Sequence, residues 1–385
     1  MPLFEMRKFV APEIVFGVGA RRRAAFYAHN LYARRVLVVS DPGVAAAGWL
    51  DELLQLFAEE GIDAAVFQGV SPNPKDGEVM AGVEVYRQAG CDIIVALGGG
   101  SVIDCAKGIG IVSANGGHIL DYEGVDVIPA PGPPLLCIPT TAGTSADISQ
   151  FAVFADLERR TKITIISKTV VPDVALVDPE TTLTMDPTLT ACTGLDALTH
   201  GIEAFVSTAS SPVVDVHALA AIRGVKENLL AAVADPADLA ARERMMLASL
   251  QAGIAFSNAS LGVVHAMAHS LGGYIGLPHG ECNALLLEFC IDFNFPAAED
   301  RFQQVGAALG LDFRGLGAAE RQRRILDDLR ELRKAAGIQD GLSTRGIGSG
   351  QIGDLAEYAM RDPCIFTNPR RASAADLRAL YGEAL

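Results

Sequence analysis

The sequence contains no CxxC pair, and its seven cysteines are odd in number. Several of them lie within apolar runs, where a thiol behaves as a small hydrophobic side chain. We therefore expect neither a disulfide framework nor a zinc site built from cysteines. This use of cysteine favours an intracellular setting.

Basic residues are scarce relative to acidic ones. The chain has 31 Lys and Arg against 46 Asp and Glu, which gives a net charge of −15. Such a charge repels nucleic-acid phosphates and anionic membrane surfaces, and no local basic stripe offsets it. We expect a small diffusing substrate, with neither nucleic acid nor membrane as a partner.

Long apolar stretches and repeats are also missing. No uninterrupted apolar run reaches the length of a membrane span, and the N-terminal segment mixes charge and proline into short apolar stretches, unlike a signal peptide. The 39 glycines follow no fixed period, which excludes collagen-like and solenoid folds. Because 50% of the residues are hydrophobic, a disordered chain is excluded as well. The sequence predicts a soluble, cytoplasmic protein.

The first half of the chain alternates short apolar strands with helices. Strands are predicted at 34–41, 63–70, 91–100 and 134–141, helices at 49–61 and 76–90, and further strand-like material at 163–180. This alternation indicates βαβ units, and strands without polar alternation indicate a mostly parallel sheet covered on both faces. After about residue 182, long Ala/Leu-rich segments have helical periodicity. We predict an α/β domain over 1–182 and an all-α domain over 183–385.

A glycine-rich turn, Gly98-Gly99-Gly100-Ser101, lies between an apolar strand and a predicted helix. Without Cβ atoms the backbone can approach a phosphate closely, and the N-terminus of the following helix attracts the anion. An ordinary strand-to-helix turn is an equal alternative on this motif alone. The spacing also differs from the GxGxxG of the dinucleotide-binding fingerprint.

Two further features favour a dinucleotide. Asp41 ends a predicted strand, where a carboxylate can accept hydrogen bonds from ribose hydroxyls and repel a 2′-phosphate, which favours NAD over NADP. The alternative for Asp41 is a turn cap before Pro42-Gly43. The run 140–145 supplies hydroxyls beside a glycine after another strand, which suits phosphate or ribose but is also common in turns.

Five of the seven histidines fall within residues 200–279, and four of them, all but His217, form the pattern described here. Asp196 and His200 are four residues apart in a predicted helix and project from one face, and His265 and His269 repeat that spacing. His279 follows in a turn-like segment. One carboxylate with several imidazoles suits a divalent iron or zinc ion that keeps a position for substrate. The spacing leaves open which metal binds and which of the pair 265/269 is a ligand.

These motifs resemble those of the iron-containing (group III) alcohol dehydrogenases. The matching stretches are GGGSVIDCAKGIG (98–110), IPTTAGTSADIS (138–149), TGLDALTHGIEAFVS (193–207) and HAMAHSLGGYIGLPHGECNALLL (265–287), with SPNPKDGEV (71–79) and CIFTNPR (364–370). The resemblance spans nearly the whole chain. It implies a dehydroquinate synthase-like fold, in which an N-terminal α/β dinucleotide-binding domain and a helical metal- and substrate-binding domain enclose the cofactor and the metal in the cleft between them.

The resemblance also implies the site residues. The metal ligands would be Asp196, His200, His265 and His279. His269 would lie beside the open metal position as the catalytic proton relay. The cofactor contacts would be Asp41, Gly98, Gly99, Gly100, Ser101, Asp104, Thr140, Thr141, Thr144 and Lys162. The implied cofactors are NAD and Fe²⁺, with Zn²⁺ as an alternative.

The function so predicted is an NAD- and metal-dependent oxidoreductase that interconverts primary alcohols and aldehydes by hydride transfer. A homo-oligomer is expected for an apolar-rich enzyme of this size. The alternatives are a related polyol dehydrogenase, a dehydroquinate-synthase-like cyclase and a non-catalytic NAD-binding sensor. Two departures from the family stand out: TTAGTSAD replaces the frequent TTAGTGSE, and Glu288-Phe289 replaces a frequent Pro-His pair. Neither departure removes an implied ligand.

Overall fold

A computed structural model describes residues 8–159, 161–339 and 341–385. Within them the chain forms two compact units, Val10–Met185 and Asp186–Leu385, and residues 8 and 9 belong to the second. Residues 1–7, part of the segment that is unlike a signal peptide, lie outside the described residues. The division at 182, with cofactor binding assigned to one domain and metal and substrate binding to the other, stays a prediction.

The strands belong to the unit Val10–Met185. They are β1 Glu13–Phe16, β2 Arg35–Val39, β3 Asp63–Phe67, β4 Ile93–Gly98, β5 Gly124–Val125, β6 Leu135–Pro139, β7 Phe151–Asp156, β8 Thr161–Ile166 and β9 Val174–Val177. Six of them form a parallel sheet in the order β1-β9-β6-β4-β2-β3. A smaller sheet has the order β5-β8-β7, with only β7 antiparallel. The predicted, mostly parallel sheet is confirmed.

Helices cover both faces of the larger sheet. They are α1 Ala24–Asn30, α2 Pro42–Ala46, α3 Trp49–Glu59, α4 Asp76–Ala89 and α5 Gly100–Asn115. Successive residues of a strand point to opposite faces, so Leu37 and Ile94 pack with α4 and α5, whereas Val38 and Ile93 pack with α1 and α3. Burial on both faces explains why these strands read as continuous apolar runs.

The order of the strands creates a switch point in the sheet. The chain passes from β2 to β3 on one side and then returns to β4 on the other side of β2. In open α/β sheets, ligands bind outside the carboxyl ends of the strands at such a point. The segments that follow β2 and β4, beginning at Ser40 and Gly99, flank it.

The described residues of the unit Asp186–Leu385 contain helices and no strand, which confirms the predicted all-α region. The helices are α6 Pro187–Val206, α7 Pro212–Ala234, α8 Leu239–Ala259, α9 Val263–Ile275, α10 His279–Asn294, α11 Glu299–Ala308, α12 Ala318–Ala335, α13 Ile352–Ala359 and α14 Ala374–Glu383. Short 3-10 helices occur at Ala20–Arg23, Ile119–Tyr122, Lys168–Val170, Pro179–Thr184, Phe295–Ala297, Leu342–Arg345 and Pro363–Thr367.

No single helix among the described residues is long and apolar enough to cross a membrane. Taken together, α8 and α9 are long and apolar enough by length and composition alone, but the chain bends by 102° between them.

Candidate active site

Helix α6 carries three buried polar residues on one face. It begins at Pro187, where a proline needs no N–H partner, and the Asp186 carboxylate accepts the backbone N–H of Leu189 at 2.8 Å. Asp196, His200 and Glu203 follow at intervals of four and three residues, which places them on one face. Because α6 is buried from Thr190 to Val206, these polar groups require partners inside the protein.

Three imidazoles converge on the Asp196 carboxylate. Its Oδ1 lies 3.7 Å from Nε2 of His200, 3.7 Å from Nε2 of His265 and 3.8 Å from Nε2 of His279. One ligand atom from each of the four residues lies within 4.8 Å of the other three. Ligand atoms about 2.1 Å from a tetrahedral ion are separated by roughly 3.4 Å. The arrangement therefore has nearly the spacing that one small cation requires.

The amide of Asn283 is aimed at the same acceptors. Its Nδ2 lies 2.7 Å from Asp196 Oδ1, 3.1 Å from His265 Nε2 and 3.3 Å from His279 Nε2. The Oδ1 atom of this amide is buried without a hydrogen-bond partner among the described residues. One donor group thus contacts three of the four candidate ligands, which shows that their lone pairs point towards a common position.

The charges around this position favour a cation. Burial alone would raise the pKa of Asp196. The nearby imidazoles, His200 and His279 first, lower it by a larger amount, so the pKa lies well below its usual value. Burial lowers the pKa of His265, whereas Asp196 and Glu203 raise it to about 9. Surroundings that stabilise a proton on an imidazole between two carboxylates also stabilise a metal cation in exchange for that proton. The four side chains therefore fit a divalent ion in both donor type and charge.

The start of α9 is held by residues distant in sequence. The backbone N–H of Val263 donates to Asn368 Oδ1 at 3.1 Å, and that of Val264 donates to Glu203 Oε1 at 2.7 Å. Acceptors from two other segments thus satisfy N–H groups that have no partner within the helix. Glu203 Oε2 also lies 2.6 Å from Nδ1 of His265.

His269 lies one turn after His265 and has a different partner. Its Nδ1 is 2.7 Å from Asp362 Oδ2, and its ring stacks on that of His279 with centroids 5.0 Å apart. The other oxygen of Asp362 accepts the backbone N–H of Cys364 at 2.8 Å. His269 belongs to a separate group with Asp362 and Cys364, outside the four that surround Asp196. The geometry thus separates two histidines that sequence spacing could not distinguish.

Sequence reasoning missed Glu203, Asn283, Asp362 and Asn368. Glu203 continues the spacing of Asp196 and His200, and Asn283 follows His279 by four residues, so helical periodicity contained a signal for both. The roles of Asp362 and Asn368 depend on contacts across more than ninety residues, 93 and 105 positions respectively. No local pattern encodes such contacts.

In the unit Val10–Met185, the structure brings the glycine turn and the threonine-rich loop together. Gly98 ends β4 beside Pro139 at the end of β6, and the N–H of Thr140 donates to the Gly98 carbonyl at 3.0 Å. A Cβ atom on Gly100 would lie 2.6 Å from Thr144 Oγ1, and one on Gly99 would lie 3.1 Å from Thr141 Cγ2. The glycines are therefore required for close packing of the two loops.

The remaining predicted cofactor residues lie in the same unit. Asp41 follows β2 and caps α2, because its Oδ1 accepts the N–H groups of Gly43 and Val44 at 2.8 and 3.0 Å. Ser101 Oγ accepts the N–H of Asn73 at 3.2 Å. These contacts support local structure, and the roles of Asp41 and Ser101 in cofactor binding stay predictions.

Asp104 and Lys162 lie near each other and near a buried lysine. Asp104 Oδ2 accepts the N–H of Val153 at 3.3 Å. Burial raises the pKa of Asp104 to about 7, although Lys107, that N–H group and Lys162 lower it. Burial lowers the pKa of Lys107. Nζ of Lys107 donates to main-chain carbonyls in the segment just before and within β7.

The structure shows what each of the two departures from the family pattern does locally. Ser145 replaces a frequent glycine and has φ of 49°, a conformation that costs a residue with a Cβ atom about 1 kcal/mol or more. Glu288 is buried, and its carboxylate pairs with Arg330 at 2.9 Å and with Arg333 at 3.4 Å. Glu288 thus connects α10 to α12 and takes no part in the four-residue group.

Comparison with known proteins identifies the class to which this fold and site belong. Residues 11–179 match the profile of the iron-containing alcohol dehydrogenases, and residues 190–385 match that of the C-terminal region of the Fe-containing alcohol dehydrogenase family. The chain belongs to the iron-containing alcohol dehydrogenase family.

Particular relatives cover almost all of the chain. The NAD-dependent methanol dehydrogenase of Bacillus methanolicus is 38% identical over 377 residues, which are 98% of this chain and 99% of the relative. The 1,3-propanediol dehydrogenase of Klebsiella pneumoniae is 38% identical over 384 residues, 99% of each chain. A crystal structure of a 1,3-propanediol oxidoreductase superposes with a TM-score of 0.96 at 37% identity, covering 99% of this chain and 100% of the other.

The protein is therefore an oxidoreductase that interconverts alcohols and aldehydes, and iron and NAD(H) are the metal and the cofactor of its family. The resemblance inferred from the motifs and the predicted activity are both confirmed. The relatives favour a dehydrogenase over the cyclase and over the non-catalytic sensor.

Proposed function

We propose that Asp196, His200, His265 and His279 hold a divalent iron ion and that the protein uses it, with NAD, to interconvert small primary alcohols and their aldehydes. The convergence of one ligand atom from each residue within 4.8 Å supports this proposal. Three imidazoles and one carboxylate also suit zinc, so Zn²⁺ is the second candidate. When bound, such an ion supplies Lewis acidity towards the substrate oxygen, and NAD supplies the hydride acceptor.

The proposed cofactor site consists of the segments at the carboxyl ends of β2, β4 and β6. Asp41 would accept hydrogen bonds from ribose hydroxyls, and the N–H groups of the glycine turn would bind phosphate oxygens. Within the described residues, no side chain caps the start of α5, which leaves its first turn suited to an anion. The remaining proposed contacts are Asp104, Thr140, Thr141, Thr144 and Lys162.

His269 is the proposed proton relay. A carboxylate has no proton to donate, so the ring nitrogen that faces it must be the donor. Asp362 therefore favours a proton on Nδ1 of the neutral His269 ring. The opposite nitrogen, Nε2, is then the ring atom that can accept the alcohol proton and pass it on. The stacking of this ring on that of His279, with centroids 5.0 Å apart, supports a relay beside the proposed ligands.

The proposed substrates are short primary alcohols. Relatives of the chain include a methanol dehydrogenase and a 1,3-propanediol dehydrogenase, each 38% identical to it. These names support methanol, ethanol and similar alkanols, with a terminal diol as the second candidate. We also propose that the protein acts in the cytoplasm as a homo-oligomer, without nucleic acid or membrane as a partner. The net charge of −15 and the seven buried, free cysteines support this setting.

The test is a metal-dependence assay on the full chain. Protein purified without oxygen is analysed for iron and zinc, then assayed for NADH formation with methanol, ethanol and 1,3-propanediol. We expect turnover that disappears after chelation and returns with Fe²⁺. Recovery with Zn²⁺ alone would change the proposed metal, and turnover that persists in fully chelated protein would refute the proposal.

A further inference from the structure

Two neighbouring imidazoles on α9 each rest on a buried carboxylate. Nδ1 of His265 is 2.6 Å from Glu203 Oε2, and Nδ1 of His269 is 2.7 Å from Asp362 Oδ2. All four side chains are at most 7% exposed. The two contacts have the same chemistry, but only His265 belongs to the group around Asp196.

Glu203 makes more contacts than the imidazole bond alone. Its Oε1 accepts the backbone N–H of Val264 at 2.7 Å, and Oε2 lies 3.4 Å from the backbone N–H of His265. A Cβ atom at Gly262 would lie 2.7 Å from Oε1, so the absence of a side chain there allows the carboxylate to reach the helix start. The positive end of a helix dipole also favours a negative charge at this place. One carboxylate therefore fixes both the first turn of α9 and the ring that this turn carries.

We propose that Glu203 is the positioning residue that makes His265 a metal ligand. A carboxylate only accepts hydrogen bonds, so the proton of the neutral ring resides on Nδ1 and the lone pair of Nε2 points towards Asp196. A hydrogen-bonded carboxylate behind an imidazole also increases its strength as a donor to a metal. This inference rests on the proposed metal site and adds a residue that is not itself a ligand.

The substitution Glu203→Gln allows only one of the two contacts of the carboxylate to be kept, the one to the Val264 N–H or the one to the His265 ring. An amide has one acceptor and one donor end. If its oxygen keeps the Val264 N–H, its NH₂ group faces Nδ1 of His265, and the ring proton moves to Nε2, where it opposes metal binding. If the amide turns over, the NH₂ group opposes the Val264 N–H and the helix start is disturbed. Either orientation weakens the site, whereas the volume of the side chain is unchanged.

Asp362→Asn is the matched control, because it makes the same change behind the ring of His269. We expect Glu203→Gln to weaken Zn²⁺ affinity about 10- to 100-fold, measured by competition with a chromogenic chelator. Asp362→Asn should leave that affinity within about threefold of the wild-type value. In ¹⁵N-histidine NMR spectra of chelated protein, recorded above the His265 pKa of about 9 so that the ring is neutral, only Glu203→Gln should shift His265 towards the tautomer protonated on Nε2. Thermal unfolding with excess EDTA verifies that each variant is folded.

Three results would overturn the inference: unchanged Zn²⁺ affinity in Glu203→Gln, equal losses in both variants, or weakened affinity with neither the tautomer of His265 nor the Val264 N–H resonance changed. A failure of the metal site itself is recognised separately with His200→Ala, which removes a proposed ligand and leaves the Glu203 carboxylate in the chain. If His200→Ala binds Zn²⁺ as tightly as the wild type, the proposed site is wrong. If His200→Ala loses the ion and Glu203→Gln keeps it, the site stands and only the role of Glu203 is refuted.

Discussion

Two pairs of buried carboxylates, one pair in each unit of the protein, have pKa values shifted in opposite directions. In the unit Val10–Met185, burial raises the pKa of Asp104 to about 7 and that of Asp147 to about 6, despite the nearby Lys107. In the unit Asp186–Leu385, burial also raises the pKa values of Asp196 and Asp362, but the facing imidazoles bring both below the usual value. Burial alone therefore does not determine the charge of a carboxylate.

The difference lies in what the neighbouring cation binds. Lys107 donates to the carbonyl oxygens of Ser149 at 2.9 Å and Phe151 at 2.7 Å, and its charge offsets only part of the effect of burial on the two carboxylates. The imidazoles near Asp196 and Asp362 instead face the carboxylate oxygens directly. The contacts of Lys107 hold the backbone before and within β7. The contacts between imidazoles and carboxylates suit a set of metal ligands.

The largest effect is expected when one of the proposed metal ligands around Asp196 is removed. His200→Ala deletes one of the three imidazoles on Asp196, and we expect loss of bound iron together with at least about a thousandfold loss of activity, since Lewis-acid stabilisation contributes several kcal/mol. Metal analysis and an NADH-formation assay measure the two quantities. The exposed His29→Ala serves as the control and should change neither. Wild-type activity in metal-depleted His200→Ala protein would contradict the proposed role.

A steric change in the glycine turn after β4 should affect the unit Val10–Met185 and leave the proposed metal site unchanged. Gly100→Ala places a Cβ atom 2.6 Å from Thr144 Oγ1, and such overpacking costs roughly 1–3 kcal/mol. Because both loops belong to the proposed cofactor site, we expect a roughly tenfold weaker affinity for NAD, which corresponds to about 1.4 kcal/mol. Iron content should not change.

The control for this change is Gly77→Ala, near the start of α4, where an added Cβ atom would meet nothing within 4 Å. Affinity for NAD is measured by titration of the intrinsic fluorescence in both variants. Equal affinities in Gly100→Ala and Gly77→Ala would show that the contact between the two loops is irrelevant to the cofactor.

The raised pKa of Asp147 predicts a pH dependence of stability with a defined sign. A carboxylate with a folded-state pKa of about 6 and an unfolded value near 3.8 ionises first in the unfolded state. Stability is therefore lost as pH rises from about 4 to about 6, by at most about 3 kcal/mol. Asp147→Asn removes this loss, so its melting temperature minus that of the wild type should increase by several degrees from pH 4 to pH 8. A difference that is constant with pH would contradict the assigned direction.

The smallest expected effect concerns backbone strain. Ser145 has φ of 49° and Ser260, which ends α8, has φ of 59°. Glycine adopts this conformation without strain, so Ser145→Gly and Ser260→Gly should each stabilise the protein by about 1 kcal/mol or less. Ala81→Gly, at an exposed position within α4, should have the opposite sign. Denaturant unfolding measures all three, and destabilisation by Ser145→Gly would refute the strain at that site.

The sequence predicted the sheet and the helices well because buried strands and helices leave periodic patterns. The apolar run 91–100 contains β4 and ends at Gly100, the first residue of α5, and 49–61 contains α3 with its bounds at Trp49 and Glu59. Spacing and resemblance also selected the residues that surround Asp196. Spacing could not choose between His265 and His269, because both project from the same side of one helix.

The partners of those two histidines were beyond local patterns. Glu203 lies 62 positions before His265, and Asp362 lies 93 positions after His269. Their hydrogen bonds depend on how helices pack, and packing is determined by the whole core. A buried carboxylate reads as an ordinary acidic residue until its surroundings are known.

The anchoring of α9 also has a consequence for biosynthesis. The helix that carries His265 and His269 is capped by Asn368, 105 positions after Val263, and His269 is held by Asp362. A ribosome that has completed α9 at Ile275 still has about ninety residues to add before Asp362 and Asn368 exist. The fully supported imidazole pair can therefore form only after residues 362–368 have left the exit tunnel.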